Sequence, residues 1–271
     1  MIHKFGLLGK GIGNSLSPIL HRAAAMDRSL HVEYVLLDVE PPSLGDILDA
    51  MRAGRWHGLN VTAPYKRWAF ESVDCHDPIA SALGVVNTIA HTGGGGLMGF
   101  NTDRVGMVTL LAGHRPKKPL ILGAGGAARV AAHVLAEQTA SVIHVLNRSR
   151  ENIDELDALA PGRIRGFSWS NLDLALSGCD VVINCLPSFM GADLQRLPWS
   201  ALAQDAVFVD TNYGPDSLAL HTDLDAQRVQ VIDGTAMLIA QGIESFHIWT
   251  ACHADPQMVG RAVHEAKKRY A

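Results

Sequence analysis

The part of this sequence that most constrains its fold is PLILGAGGAARVAAHVL, residues 119–135. A short apolar run, typical of a buried strand, is broken by glycines and followed by apolar residues at helical spacing. Strand, glycine turn and helix in this order are the context in which a G-x-G-x-x-G/A pattern indicates a dinucleotide site. Gly123 would form the tight turn, and Gly125 would let a pyrophosphate approach the backbone. The free N–H groups of Gly126 and Ala127, at the start of the helix, would then bind the anion.

The next strand-like run, SVIHVLN, favours a dinucleotide site over an ordinary strand-to-helix turn. It ends at Asn147, about 24 residues past the first glycine, where an NAD site usually carries Asp or Glu. The chain has Asn147, Arg148 and Ser149 there instead. Because a guanidinium binds phosphate through charge-assisted, bidentate hydrogen bonds, the sequence predicts NADP as the cofactor. A solvated basic loop is the alternative interpretation of the same residues.

Composition limits the remaining possibilities. The chain has 271 residues, 48% of them hydrophobic and 18% charged, which is enough for one large or two medium domains. A net charge of −4 gives no sign of a nucleic-acid or membrane partner. The four cysteines form no Cys-x-x-Cys pair and the first residues do not resemble a signal peptide, so we expect reduced thiols in a cytoplasmic protein. The histidines lack ligand spacing, so the sequence predicts no metal site.

Alternating strand and helix signals predict two α/β domains with a cleft between them. Residues 1–102 would form a substrate-binding domain, and residues 103–237 would form a Rossmann-type domain with six strands. Two of these strands, in DVVINCLP and AVFVDTNY, are apolar runs typical of burial on both faces. The helices of residues 238–271 would return to complete the first domain. Ser17 ahead of Pro18 predicts a helix start at which the Ser17 hydroxyl is the cap.

Small polar residues collect at the strand ends and loops of the first domain. Because the carboxyl ends of strands in an α/β sheet converge on one crevice, these residues would form a pocket for a polyhydroxylated, anionic small molecule. Each also has a local explanation, since Asn, Ser and Asp favour caps and turns and a lysine in a first helical turn can be solvated. The set comprises Ser15, Ser17, Asn60, Thr62, Lys66, Asn87, Thr88, Asn101, Thr102 and Asp103.

Together these motifs resemble the shikimate dehydrogenase family over nearly the whole chain. They are, in order, SLSPILH, GLNVTAPYK, GVVNT, GFNTD, GAGGAAR, NRS, DTNYGP and DGTAMLIAQGIESF. GLNVTAPYK is similar to the family's Asn-Val-Thr-x-Pro-x-Lys signature, which is the most specific of the set. The resemblance implies an NADP-dependent oxidoreductase that reversibly reduces 3-dehydroshikimate to shikimate, in the biosynthesis of chorismate and the aromatic amino acids.

The resemblance also implies roles for the matched residues. Lys66 and Asp103 would form the catalytic pair, with Lys66 either donating a proton to the reacting oxygen or stabilising it by charge. For the substrate, the resemblance implies that the carboxylate is bound by Ser15 and Ser17. It implies that the ring hydroxyls are bound, or the pocket is shaped, by Asn60, Thr62, Asn87, Tyr213 and Gln241. The residues implied for the cofactor are Gly123, Gly125, Gly126, Ala127, Asn147, Arg148, Ser149, Gly234 and Met237. We expect a monomer or a homodimer that acts on a small molecule.

Two positions depart from the family pattern. Asn14 stands where a histidine often precedes Ser-x-Ser, and the usual Asn-x-Thr-x-x-Gly has Leu186 for threonine and Phe189 for glycine. The second departure lies on the nicotinamide side and leaves the preferred substrate open. Quinate or an amino-shikimate is the alternative substrate, although Ser17, rather than a bulkier threonine, favours shikimate. A catalytically silent NADP-binding sensor is the alternative class, and retention of both catalytic residues argues against it.

Overall fold

The structure is a computed structural model that describes residues 2–269. The chain divides into two compact units. The first unit contains the described residues 2–106 and 238–269, and the second contains residues 107–237. The first of these divisions falls after Gly106, four residues beyond the end of the first domain predicted from the sequence.

The strands, in chain order, are β1 (His3–Gly9), β2 (Val32–Asp38), β3 (Gly58–Val61), β4 (Cys75–His76), β5 (Thr88–His91), β6 (Leu97–Phe100), β7 (Pro119–Leu122), β8 (Ile143–Leu146), β9 (Ile164–Phe167), β10 (Val181–Asn184), β11 (Val207–Asp210) and β12 (Gln230–Ile232). The α-helices are α1 (Ser17–Asp27), α2 (Leu44–Arg52), α3 (Lys66–Ser72), α4 (Pro78–Leu83), α5 (Asp103–Leu110), α6 (Gly126–Gln138), α7 (Arg150–Asp157), α8 (Leu172–Leu176), α9 (Gly191–Leu194), α10 (Leu218–Ala226), α11 (Thr235–Thr250) and α12 (Pro256–Lys267).

The first unit is built on a mixed sheet with the strand order β2-β1-β3-β5-β6-β4. β1 runs parallel to β2 and β3, whereas β5 pairs antiparallel with both β3 and β6. β5 and β6 form a hairpin around the glycines of residues 93–96. β4 was not predicted, because two residues are too few to produce an alternating pattern. The pairing places Asn60 opposite Thr88 and Thr88 opposite Phe100. The polar residues of β3 and β5 therefore lie next to each other and beside the end of β6.

Helix α11 packs closely within the first unit because glycines leave room for it. A side chain on Gly242 of α11 would collide with Leu20 of α1, whose Cδ1 lies 2.6 Å from the position of the added Cβ. Gly58 of β3 leaves space for the indole ring of Trp249, and the Trp249 Nε1 donates to the Ile89 carbonyl at 3.0 Å. Close approach of this kind needs glycine. It fixes the position of the α11 residues that face the sheet.

The start of α1 differs from the sequence prediction. The N-cap residue is Leu16, and Ser17 is already the first helical residue, so the prediction that the Ser17 hydroxyl caps the helix was wrong. The Ser17 backbone N–H donates instead to Ser15 Oγ at 3.2 Å, and Ser15 Oγ also donates to Ser17 Oγ at 3.1 Å. Because proline is tolerated anywhere in the first helical turn, Pro18 fixed the helix start only to within a residue.

The second unit contains a fully parallel sheet with the strand order β12-β11-β10-β7-β8-β9. This is the Rossmann order, in which the first strand lies in the middle beside the fourth. All six of these strands were predicted, and every residue of β7, β8, β10 and β11 is buried. Burial on both faces explains why these runs do not alternate with polar residues.

The last helix, α12, begins at Pro256. Asp255 is the N-cap of α12, and its side chain accepts a hydrogen bond from the Gln257 backbone N–H. Within residues 2–269, the structure has no helix that is both long enough and apolar enough to cross a membrane.

Candidate active site

Lys66 and Asp103 form an ion pair in the first unit, with 2.6 Å between Nζ and Oδ2. Their side chains are only 17% and 8% exposed. Hydrogen bonds between charged groups at this distance are among the strongest in proteins. The interpretation of Lys66 as a solvated lysine of a first helical turn is therefore wrong. The structure brings together the two residues that the sequence proposed as a pair.

The elements around this pair are held by bonds from neighbouring strands and loops. Lys66 begins α3, and its carbonyl accepts from the Val86 backbone N–H at 3.0 Å. The preceding Tyr65 side chain is anchored through its hydroxyl, which donates to the Val39 carbonyl at 2.6 Å. Asp103 begins α5, and two residues separate it from the end of β6. The ammonium and the carboxylate are thus fixed by separate segments of the same sheet unit.

Asn87 contacts Thr102, the residue that precedes Asp103. Its Oδ1 accepts from the Thr102 backbone N–H at 2.7 Å, and its Nδ2 donates to Thr102 Oγ1 at 2.9 Å. An amide nitrogen carries two hydrogens. Within residues 2–269 the structure gives Asn87 Nδ2 no second acceptor. Asn87 therefore keeps one hydrogen that a ligand oxygen can accept.

Asn60, by contrast, makes its hydrogen bonds to other protein groups. Its Oδ1 accepts from the Tyr34 hydroxyl at 2.9 Å and contacts His21 Nε2 at 3.2 Å. Its Nδ2 faces three acceptors, namely Ser245 Oγ at 2.8 Å, Thr88 Oγ1 at 3.1 Å and the Asn87 carbonyl at 3.3 Å. Because Nδ2 carries only two hydrogens, these three acceptors already use its whole capacity to donate. Asn60 is therefore a buried residue held by protein partners, which favours the second of the two roles that the resemblance implied, binding ring hydroxyls or shaping the pocket.

His21 was not singled out by the sequence, and burial determines its chemistry. The side chain is fully buried and its ring stacks on Tyr34, with 4.3 Å between the ring centroids. Loss of solvent lowers the pKa of His21 from its ordinary value of 6.5 to about 3. The imidazole is therefore neutral, and because Asn60 Oδ1 accepts, the proton must lie on Nε2.

The remaining residues predicted to bind substrate lie in different surroundings. Ser15 is partly buried and Ser17 is buried, and their hydroxyls contact each other. Thr62 is partly buried after β3. Gln241 of α11 uses one Nε2 hydrogen on the Leu238 carbonyl at 2.8 Å. Tyr213 is a partly buried residue of the second unit.

The glycine turn of the second unit fits a dinucleotide. Gly123 has a φ of +97°, which other residues rarely adopt, and Leu186 Cδ2 lies 3.1 Å from where its Cβ would be. Gly125 is the N-cap residue of α6, and an added Cβ there would meet nothing within 4 Å. Open space in front of the turn and free N–H groups at Gly126 and Ala127 are what a pyrophosphate needs.

The segment after β8 presents a cation to solvent. Asn147 Nδ2 donates to the Ser149 carbonyl at 3.0 Å, and the Ser149 hydroxyl caps α7 by accepting from the Asn152 N–H. Arg148 is exposed, and within the described chain the structure gives it no hydrogen bond or ion pair. Arg150, two residues later, pairs with Asp154. Arg148 is therefore the arginine of this segment whose guanidinium is available to a phosphate.

Gly234 and Met237 lie at the start of α11. A side chain on Gly234 would collide with the Thr211 carbonyl oxygen, so only glycine fits between β12 and α11. Met237 is buried. Among residues 2–269, no cluster of three or more His, Cys, Asp or Glu side chains could hold a metal ion.

A buried polar network that the sequence did not reveal supports the loop after β10. Asp210 is 1% exposed, and its Oδ1 accepts from Asn184 Nδ2 at 3.0 Å and from Asn212 Nδ2 at 2.8 Å. His221 Nε2 contacts the other oxygen of Asp210 at 2.8 Å. The two asparagines in turn hold the backbone of Leu186 from both sides. His221 lies on a helix with no motif around it, so its sequence gave no signal of this contact.

Known proteins are similar to this chain over most of its length. Two family models match, one described as the shikimate dehydrogenase substrate binding domain over residues 7–89 and one as shikimate / quinate 5-dehydrogenase over residues 109–191. The chain is 34% identical over 249 residues to a shikimate dehydrogenase (NADP(+)) of Haloarcula marismortui, covering 91% of this chain and 92% of that protein.

Two solved structures are similar to this one. A shikimate dehydrogenase in complex with NADP+ has a TM-score of 0.84 and 32% identity, with coverage of 98% of this chain and 96% of that one. The shikimate 5-dehydrogenase of Thermus thermophilus in complex with NADP(H) and shikimate has a TM-score of 0.81 and 29% identity, with coverage of 97% and 99%.

Proposed function

Because this chain belongs to the shikimate dehydrogenase family, we propose that it catalyses the reversible, NADP-dependent reduction of 3-dehydroshikimate to shikimate. The family resemblance found in the sequence is confirmed by the two family models and by the curated relatives. The observation that carries the proposal is the shielded Lys66–Asp103 ion pair. A binding protein without catalysis needs no proton donor held in place by a carboxylate.

Three requirements fall on the residues of this chain when NADPH supplies the hydride. The chain must bind the ketone, hold its oxygen and deliver a proton to that oxygen. Lys66 Nζ has three hydrogens, and it donates one of them to Asp103, so two remain for a substrate oxygen. As negative charge develops on the substrate oxygen, the ammonium stabilises it and donates the proton. Asp103 retains acceptor capacity for a substrate hydroxyl, and it holds Lys66 in place.

The substrate contacts proposed for the first unit follow from the same inventory of hydrogen bonds. The hydroxyls of Ser15 and Ser17 bind the carboxylate of the substrate, and Thr62 and Gln241 contact the ring hydroxyls. Asn87 contributes its uncommitted Nδ2 hydrogen. Tyr213 of the second unit completes the set. Asn60 is left out of this set because its partners are all protein groups.

The cofactor contacts proposed for the second unit use its glycine turn and its exposed arginine. Gly123, Gly125, Gly126 and Ala127 hold the pyrophosphate at the start of α6. Arg148, with Asn147 and Ser149, binds the 2′-phosphate. Gly234 and Met237 lie on the nicotinamide side. Residues 1–102 with 238–271 are accordingly the substrate-binding domain, and residues 103–237 the NADP-binding domain.

The proposal is tested by following NADP+ reduction with shikimate, quinate and an amino-shikimate side by side. We expect turnover with shikimate to exceed turnover with the other two, and absence of activity with all three would contradict the proposal. A chain that reduces NADP+ with quinate but not with shikimate would assign the alternative substrate.

Lys66 and Asp103 are expected to act as one unit. Lys66→Ala should lower kcat by at least about 100-fold, because the lysine acts mainly in the transition state, while KM changes by less than about fivefold. Asp103→Asn should lower kcat similarly and also raise KM, and the double variant should be little worse than Lys66→Ala. Lys4→Ala is the matched control, since Lys4 pairs with Glu33 at 3.5 Å but both are about half exposed. Multiplicative losses, or near-normal kcat in Lys66→Ala, would remove the pair from the catalytic centre.

We propose a cytoplasmic enzyme that acts as a monomer or a homodimer, without a nucleic-acid or membrane partner. The support for the compartment is the state of the cysteines, which are all free thiols in the structure. Burial raises the pKa of the Cys179 thiol to about 11, so this thiol is unreactive near neutral pH. Light scattering after size-exclusion chromatography distinguishes a monomer of 29.1 kDa from a dimer.

A further inference from the structure

Three buried hydroxyl groups form a triangle in the first unit. Ser245 Oγ lies 2.9 Å from Thr88 Oγ1 and 3.1 Å from Thr102 Oγ1, and the two threonine oxygens lie 3.2 Å apart. Their side chains come from α11, from β5 and from the segment after β6. We propose that Ser245 is a positioning residue that orients the amide of Asn87, through Thr102, and thereby controls shikimate binding.

The direction of the hydrogen bonds follows from what each group can donate. Ser245 Oγ donates its one hydrogen to the Gln241 carbonyl, which can only accept, at 2.9 Å. Ser245 Oγ therefore acts as an acceptor for Asn60 Nδ2, at 2.8 Å, and for a threonine hydroxyl. The bonds to Gln241, Asn60 and a threonine hydroxyl fix the rotamer of the Ser245 side chain. A serine with 0% exposure cannot touch a substrate, so any effect on catalysis passes through these partners.

Thr102 connects Ser245 to the proposed substrate contacts through two bonds to the Asn87 amide, and Thr88 adds a third by donating to Asn87 Oδ1 at 3.1 Å. Thr102 Oγ1 accepts from Asn87 Nδ2 at 2.9 Å, which points the second Nδ2 hydrogen away from the triangle. The Thr102 backbone N–H also binds Asn87 Oδ1, so the orientation of the amide group is fixed at both ends. Asp103 is the next residue in the chain. Loss of the Ser245 hydroxyl removes one of the partners of the Thr102 hydroxyl and leaves Thr88 Oγ1 and Asn87 Oδ1 as the others, so the position of Thr102 Oγ1 against the Asn87 amide is less strictly fixed.

Asn60 makes the triangle rigid from its other side. Tyr34 and His21 occupy its Oδ1, so its Nδ2 points to the other side, where Ser245 Oγ and Thr88 Oγ1 are the nearer of its three acceptors. Buried polar groups with all partners satisfied favour a single arrangement, because any other arrangement leaves a donor or acceptor unpaired. The network therefore transmits the position of α11 to the residues beside Asp103.

This inference rests on the proposed function, and steady-state kinetics with shikimate and NADP+ tests it. Ser245→Ala should raise the KM for shikimate about fivefold to tenfold, the effect of about one hydrogen bond. The kcat should stay within about threefold and the Kd for NADP+ should not change, because Lys66, Asp103 and the second unit keep their contacts. Thr102→Val should raise KM similarly, and the double variant should be no worse than either, because both break the same triangle.

Thr250→Val is the matched control. Thr250 makes the same type of bond on the same helix, from its Oγ1 to the Phe246 carbonyl at 2.7 Å, but it lies outside the triangle. Ser245→Thr, which keeps the hydroxyl, should restore much of the KM lost in Ser245→Ala. If Ser245→Ala does not fold, Thr102→Val carries the same test from another corner of the triangle.

The outcomes separate this inference from the proposed function. An unmodified chain that does not oxidise shikimate would overturn both. An active unmodified chain with an unchanged KM in Ser245→Ala would overturn the inference alone. An equal KM change in Thr250→Val, additive losses in the double variant, or a parallel loss of NADP+ affinity would also overturn it, because each would indicate a general loss of structure.

Discussion

The buried His21 should make the stability of this protein depend on pH below neutrality. Its pKa is about 3 in the folded protein, lowered by burial from 6.5. Between those two values the unfolded chain binds a proton that the folded chain does not. Stability from this residue is therefore fully present above the ordinary pKa and is lost as the pH falls.

The magnitude follows from the two pKa values. Between about pH 7.5 and about pH 5 the free energy of unfolding should fall by about 2 kcal/mol because of His21. At the acid end of this range the slope should be about 1.4 kcal/mol per pH unit. This is a large fraction of the stability of an ordinary domain. The free energy of unfolding falls because, at low pH, the unfolded chain gains a proton on His21 that the folded protein could accept only by charging a buried imidazole.

Urea unfolding followed by tryptophan fluorescence measures this slope, with separate transitions fitted separately because two units need not unfold together. His21→Gln is the comparison, since its amide nitrogen can still donate to Asn60 Oδ1 but does not titrate. Burial also lowers the pKa of His144, but His144 is present in both proteins and cancels in the difference. Equal slopes in the two proteins would refute the reasoning, because they would mean that His21 does not titrate between folded and unfolded states.

Two further predictions concern the second unit. Arg148→Ala should raise the KM for NADP+ more than tenfold, since a hydrogen bond to a charged group contributes about 1.5–3 kcal/mol, and it should leave the use of NAD+ nearly unchanged; equal losses with both cofactors would count against the assignment. Gly234→Ala should lower stability by about 1–3 kcal/mol in thermal unfolding, because its Cβ would collide with the Thr211 carbonyl oxygen. Gly214→Ala, whose added Cβ would meet nothing within 4 Å, should be nearly neutral, and equal losses in both variants would contradict the collision argument.

The fold of the second unit could be predicted because its signals are local. Buried parallel strands appear as apolar runs, and the turn after β7 needs glycine at Gly123, where φ is +97°. Lys66 and Asp103 were found through motifs at two strand ends. β4 and the true cap of α1 escaped prediction because two residues, or a shift of one residue, leave no periodic signal.

The hydrogen bonds of Asn60 could not be predicted from the sequence for a different physical reason. Its partners are up to 185 residues away in the chain, and a sequence without a fold does not show which side chains will saturate an amide. The same motif supplied Asn60 and Lys66, yet one is a structural residue of the network and the other belongs to the ion pair. Distinguishing them needed the count of donors and acceptors at each atom.

The departure at Leu186 can be understood from the network that surrounds it. Asn184 Oδ1 accepts from the Leu186 N–H at 3.1 Å, and Asn212 Nδ2 donates to the Leu186 carbonyl at 2.9 Å. Asp210 fixes both asparagines, so the backbone of the loop is held without any side-chain hydroxyl at position 186. The leucine side chain packs instead against Gly123. Replacement of threonine by leucine therefore changes the surface beside the glycine turn from polar to apolar, while the bonds that hold the loop do not depend on it.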